Sequence, residues 1–129
     1  MPRITASSPQ LLVRDVVASA KYYRDCLGFQ YEPDGMYGDP PCFCICERDR
    51  HFLMLAEVSK ETPVTPVHRL REDSFSAYYW VDDVDGLHRQ FVAAGAKIHS
   101  PPYDQPYRVR EMTVEDPDGH RLAFGQILR

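Results

Sequence analysis

The chain carries one punctuated pattern twice, and that repetition restricts its fold more than any other feature of its 129 residues. A short apolar run at 11–16, with Asp15 near its end, leads into a helical segment at 17–26. Val16, Ala20, Tyr23 and Leu27 fall on one stripe at helical spacing, Asp15 suits a helix start, and Gly28 suits a helix end. The second copy has a strand at 75–81, Asp82 and Asp83 opening a helix that carries Val84, Leu87, Phe91 and Ala94, and Gly95 closing it. Asp15 and Asp83 are 68 residues apart, and Gly28 and Gly95 are 67 apart. Each helix is followed by three strand candidates, at 29–32, 42–47 and 51–58, then at 97–100, 109–115 and 121–127. Turn signals separate them: Pro33-Asp34-Gly35, Arg48-Asp49-Arg50 and Asp116-Pro117-Asp118-Gly119. The class is therefore α+β, built as two βαβββ modules at 9–58 and 74–128, with a linker at 59–73 and a single domain over 1–129. No periodicity fixes the course of 33–41 or 101–107.

With 43% hydrophobic residues, a chain of this size can bury one core. Its net charge of -4 and its scattered basic residues argue against a nucleic-acid partner. Apolar runs are far too short for a membrane span, and residues 1–8 lack the apolar run of a signal peptide, so the expected location is cytoplasmic. Cys42, Cys44 and Cys46 alternate along one expected strand. Same-face neighbours there have Cα atoms roughly 6.5–7 Å apart, at the limit of disulfide geometry, so these three and Cys26 are expected as thiols.

Four tags lie in order on this framework: Leu12-Val13-Arg14-Asp15-Val16, Tyr22-Tyr23-Arg24-Asp25-Cys26-Leu27-Gly28-Phe29, Val81-Asp82-Asp83-Val84, and Glu115-Asp116-Pro117-Asp118-Gly119-His120-Arg121-Leu122. Together they resemble the vicinal-oxygen-chelate superfamily of glyoxalases, bleomycin-resistance proteins and dioxygenases, over residues 9–127. The resemblance implies a cup of eight strands with helices outside. It also implies a divalent metal held by one residue from each of four strands, positions that fall here on Ser8, Met54, Ser76 and Ala123. None is a competent ligand for a hard or borderline ion, so no metal or other cofactor is expected. The chain is most similar to the metal-free bleomycin-resistance branch, which Leu122-Ala123-Phe124-Gly125 also resembles. That branch sequesters an antibiotic between two subunits that exchange an N-terminal arm. The resemblance therefore implies a homodimer, with residues 1–8 crossing.

Strand parity supplies a pocket list. If Ser76 faces the cup, so do Tyr78 and Trp80; the same alternation turns Ser8, Gln10, Leu12, Phe52, Met54, Ala56, Glu111, Thr113 and Ala123 inward. Of these, Gln10, Phe52, Met54, Tyr78, Trp80, Glu111 and Thr113 are the expected ligand-binding residues. The competing reading makes Tyr78 and Trp80 plain core. The five histidines stand at no ligand spacing and most are expected on the surface, with His120 set apart beside the final turn near the pocket rim. No nucleophile with a base and no phosphate-cradling glycine loop appears, so no catalytic residue is assigned. The leading expectation is a metal-free protein that sequesters a small aromatic, cationic ligand. Its rivals are a glyoxalase- or dioxygenase-like enzyme using the same cup for isomerase, lyase or ring-cleavage chemistry, either with metal ligands at positions other than those four or with Glu111 as a metal-free base, and thiol-based handling of soft metals or arsenicals through Cys42, Cys44 and Cys46.

Overall fold

Both helices start at the expected aspartates in the computed structural model, which describes all 129 residues apart from the side chain of Pro33. Asp15 caps helix α1 (Val16–Leu27) by accepting from the Ala18 amide, and Asp83 caps α2 (Val84–Ala93) by accepting from the Gly86 amide. A second cap repeats as well. Glu57 accepts from the Val16 amide and Gln126 from the Val84 amide, both at 2.9 Å, so the last strand of each module holds the first turn of that module's helix. Such caps satisfy helix N–H groups that have no partner within the helix.

The chain divides into two compact units, Met1–Val64 and Thr65–Arg129. The first contains β1 (Gln10–Val13), β2 (Met36–Tyr37), β3 (Phe43–Arg48) and β4 (His51–Glu57), ordered β1-β4-β3-β2 with β1 parallel to β4. The second contains β5 (Ala77–Trp80), β6 (Lys97–Gln105), β7 (Val109–Glu115) and β8 (Arg121–Ile127), ordered β5-β8-β7-β6 with β5 parallel to β8. The two four-stranded sheets thus share one topology, as expected of a βαβββ repeat.

In each unit the helix covers one sheet face. Val16, Ala20, Tyr23 and Leu27 of α1 are fully buried with Leu11, Val13, Leu53 and Leu55. In the second unit Val84 and Phe91 of α2 are buried with Met112, Val114, Leu122 and Phe124, whereas Ala94 lies exposed beyond the helix end. Burying a large aliphatic or aromatic side chain contributes about 1.5–3 kcal/mol, so these stripes hold the helices in place.

Several boundaries differ from expectation. The first strand ends at Val13 rather than Val16, because the residues beyond it form the capped helix start. Residues 29–32 make only one bridge, Gln30 to Glu47; a 3-10 turn at Pro33–Gly35 intervenes, and β2 lies beyond it. Pro33 has no N–H for a ladder, which favours the turn. The strand expected at 97–100 continues through Pro101 and Pro102 to Gln105. It can do so because β6 is a sheet edge and its register shifts twice between Ile98 and Tyr103, where a missing N–H costs little. The expected linker contains a 3-10 turn at Val67–Arg69, and His68 Nε2 lies 3.0 Å from the Gly119 carbonyl oxygen. No helix among the described residues is long and apolar enough to cross a membrane.

Candidate ligand-binding site

Alternation on the second sheet separates two faces. Tyr79 stacks on Phe124 at 5.7 Å, Phe124 meets Phe91 of α2 at 5.2 Å, and Ala77 pairs with Leu122, so these residues line the helix side. Tyr78, Trp80, Glu111 and Thr113 therefore occupy the opposite face, where Tyr78 and Thr113 flank Ala123 and Trp80 and Glu111 flank Gly125. Gly125 determines what happens next. A Cβ there would fall on the Tyr78 hydroxyl, so the bare glycine lets the phenol cross β8 and reach Glu111.

Glu111 is only 6% exposed and is held by neutral donors. Tyr78 and Tyr107 donate to its Oε1 at 2.9 and 2.8 Å, and Gln105 Nε2 donates to its Oε2 at 3.1 Å. A carboxylate only accepts, which fixes the Gln105 amide with nitrogen inward; the same nitrogen lies 2.6 Å from the Tyr103 hydroxyl. None of the ion pairs among the described residues involves Glu111. Burial, followed by the bonds to Glu111, raises both phenols: Tyr107 is pushed up to about 12, and Tyr78 also lies well above the usual phenol range. Glu111 and Thr113 line a cleft of about 370 Å³ whose walls include Phe75, His99, Tyr103, Gln105 and Tyr107. That volume lies at the lower end for small-molecule sites.

Trp80 does not line this cleft. It is 63% exposed and borders a separate hollow with Asp82 and Ile127. An aromatic row connects the two places, with ring centroids 5.1 Å apart from Phe75 to Tyr78 and 4.8 Å from Tyr78 to Trp80. Phe75, His99, Tyr103, Gln105 and Tyr107 were missing from the sequence-derived list. Four of them sit on bulged β6 or its hairpin turn, where period-2 parity fails.

On the first unit, Gln10 is exposed and pairs with half-buried Met54, while Phe52 lines a hollow with Tyr31, Tyr37 and Ile45. Cys44 and Cys46 face the buried core as free thiols sharing a weak sulfur–sulfur hydrogen bond of 3.9 Å, whereas Cys42 is exposed and outside the strand. The Cys44 sulfur beside it, and then burial, push the Cys46 thiol far above its ordinary range. A buried thiol held protonated is a poor soft-metal ligand. Among the described residues no three His, Cys, Asp or Glu side chains converge to hold a metal. His120, expected near the pocket rim, is buried, with its amide bonded to Asp116 Oδ1 and its Nδ1 3.5 Å from Ser76 Oγ.

The family model of the Glyoxalase/Bleomycin resistance protein/Dioxygenase superfamily matches residues 5–124. The chain belongs to that superfamily. Solved structures share its fold. A glyoxalase-related enzyme from Clostridium phytofermentans is 15% identical with a TM-score of 0.76, covering 98% of both chains. TioX from Micromonospora sp. ML1 is 21% identical with a TM-score of 0.70, covering 96% of this chain and 99% of its own. A lactoylglutathione lyase from Agrobacterium tumefaciens is 17% identical with a TM-score of 0.67, covering 98% of this chain and 96% of its own. No curated protein is similar enough in sequence to be matched.

The metal implied by the glyoxalase branches does not fit the residues present. Ala123 has no donor atom, Met54 offers a soft thioether, and the Ser8 and Ser76 hydroxyls are neutral oxygens facing Pro9 O and His120 Nδ1. Such a set matches neither a hard nor a borderline divalent ion.

Proposed function

We propose that this protein binds a small planar aromatic cation on the open face of its second sheet and sequesters it without metal chemistry. The observation that carries the reading is the buried Glu111 carboxylate, held by three neutral donors and no cation, in a cleft walled by Phe75, Tyr103 and Tyr107. An ionised carboxylate at low exposure needs compensation. Hydrogen bonds supply part of it, and a ligand cation seated against the aromatic walls supplies more. The row Phe75, Tyr78, Trp80 extends the stacking surface beyond the cleft. Each good aromatic or cation–π contact contributes on the order of 0.5–2 kcal/mol.

Gln10, Phe52 and Met54 remain proposed ligand contacts within the first unit, where Phe52 lines a hollow of its own, and Thr113 is part of the second unit's cleft lining. The exposed apolar side chains Leu12 and Trp80 support a second proposal, a homodimer with residues 1–8 exchanged; a monomer at micromolar concentration in light scattering would overturn it. Trp80 is the sole tryptophan and lies 4.8 Å from Tyr78, so its emission reports on the aromatic row. Titration with planar aromatic cations such as acridinium dyes is expected to quench or shift that emission, and Trp80→Ala is expected to weaken binding several-fold. Unchanged emission together with no calorimetric heat would refute the reading, and turnover of a substrate would replace sequestration with catalysis.

A further inference from the structure

We infer that the ligand offers Glu111 a single N–H, a protonated tertiary amine or a ring nitrogen with one hydrogen, and that this contact is made at Oε2. The inference rests on the reading of the cleft as a cation site and specifies the cation. A carboxylate has about four acceptor positions, two on each oxygen. On Oε1 both are occupied, by the Tyr78 and Tyr107 hydroxyls. On Oε2 one is occupied by Gln105, which leaves one open.

Partners of both carboxylate oxygens line the cleft, Gln105 on Oε2 and Tyr107 on Oε1, so the open acceptor position decides where a donor bonds. Gln105, the partner of Oε2, is part of the cleft wall together with Tyr103. Tyr78, a partner of Oε1, approaches from β5 across Gly125. An incoming donor therefore meets one vacant acceptor position beside an oxygen whose neighbour is full. Amidinium and guanidinium groups bind carboxylates through two parallel N–H bonds and would have to expel a tyrosine. A quaternary ammonium brings charge but no hydrogen, so it leaves the Oε2 position unused.

The test uses three naphthalene derivatives that share a ring and differ in their head group: dimethylaminomethyl, protonated at neutral pH, trimethylammoniomethyl, and amidino. Calorimetry on the wild-type protein is expected to show the tertiary ammonium binding about tenfold more tightly than the quaternary one, with the amidine weakest. In Tyr107→Phe the vacated Oε1 position faces the cleft, because Tyr107 itself lines it. The amidine is then expected to gain about tenfold while the tertiary ammonium does not. Equal affinity of tertiary and quaternary compounds, both lost in Glu111→Gln, would overturn the single-hydrogen inference and leave the cation reading standing. Failure of all three cations to bind would overturn both.

Discussion

Replacing Gly125 with Ala tests whether the Tyr78–Glu111 bond shapes the site as described. The new Cβ would land on the Tyr78 hydroxyl, 2.7 Å from its Cζ and 2.9 Å from Val109 Cγ1. The phenol is the free end of a side chain and can swing away, but only by leaving Glu111. A hydrogen bond to a charged group is worth about 1.5–3 kcal/mol, and crowding against Val109 adds about 1 kcal/mol, the low end for overpacking. Gly125→Ala is thus expected to destabilise by about 2.5–4 kcal/mol, large beside a typical total of 5–15 kcal/mol but compatible with folding. Urea unfolding measures it, and a cycle with Tyr78→Phe separates the causes. With the hydroxyl already absent, Gly125→Ala removes no bond, so the double variant should be more stable than the sum of singles requires by about 1.5–3 kcal/mol. Additive effects, or a Gly125→Ala protein as stable as wild type, would refute the claim that the bare glycine exists to pass the phenol.

Tyr78 and Tyr107 have raised folded-state values, so the stability they contribute is complete below the ordinary phenol value of about 10 and is lost as the pH climbs through about 12 for Tyr107. Tyrosinate absorbance should show these two ionising late, with Glu111→Gln bringing them part of the way back; a late fraction unmoved by that substitution would leave burial as the whole cause. Asp49 and Arg50 form a two-residue hairpin turn with φ of 51° and 69°, and the arginine is strained there. Arg50→Gly should stabilise by about 0.5–1 kcal/mol in denaturant melts, and a loss of stability would contradict that reading. Freshly purified protein should keep its thermal midpoint in chelator, and one iron, zinc, nickel or manganese per chain by elemental analysis would contradict the donor chemistry of Ser8, Met54, Ser76 and Ala123.

The repeat was readable because its punctuation is chemical. Asp15 and Asp83 cap helices and Gly28 adopts φ 73°, roles few other residues fill at those places. Period-2 alternation likewise put Tyr78, Trp80, Glu111 and Thr113 on one face, since β5, β7 and β8 pair without register shifts. It could not separate Trp80 from the Glu111 cleft, because facing alike does not mean touching, and β8 lies between those strands. Gln105 and Tyr107 escaped notice for another reason: two register shifts carry β6 through Pro101 and Pro102, and the three-residue turn ending at Arg108, φ 64°, swings Tyr107 back over Glu111. The burial of His120 was hidden too, because it follows from Asp116 folding its carboxylate back onto the turn amides.

The most direct test of a cation site built on Glu111 is calorimetric titration of wild-type and Glu111→Gln protein with an aromatic ammonium compound and its neutral isostere. Removing a buried charge partner typically costs 2–5 kcal/mol of binding, so the ammonium compound should lose at least tenfold in Glu111→Gln while the neutral isostere stays nearly unchanged. Equal losses for both ligands, or none for either, would contradict the account.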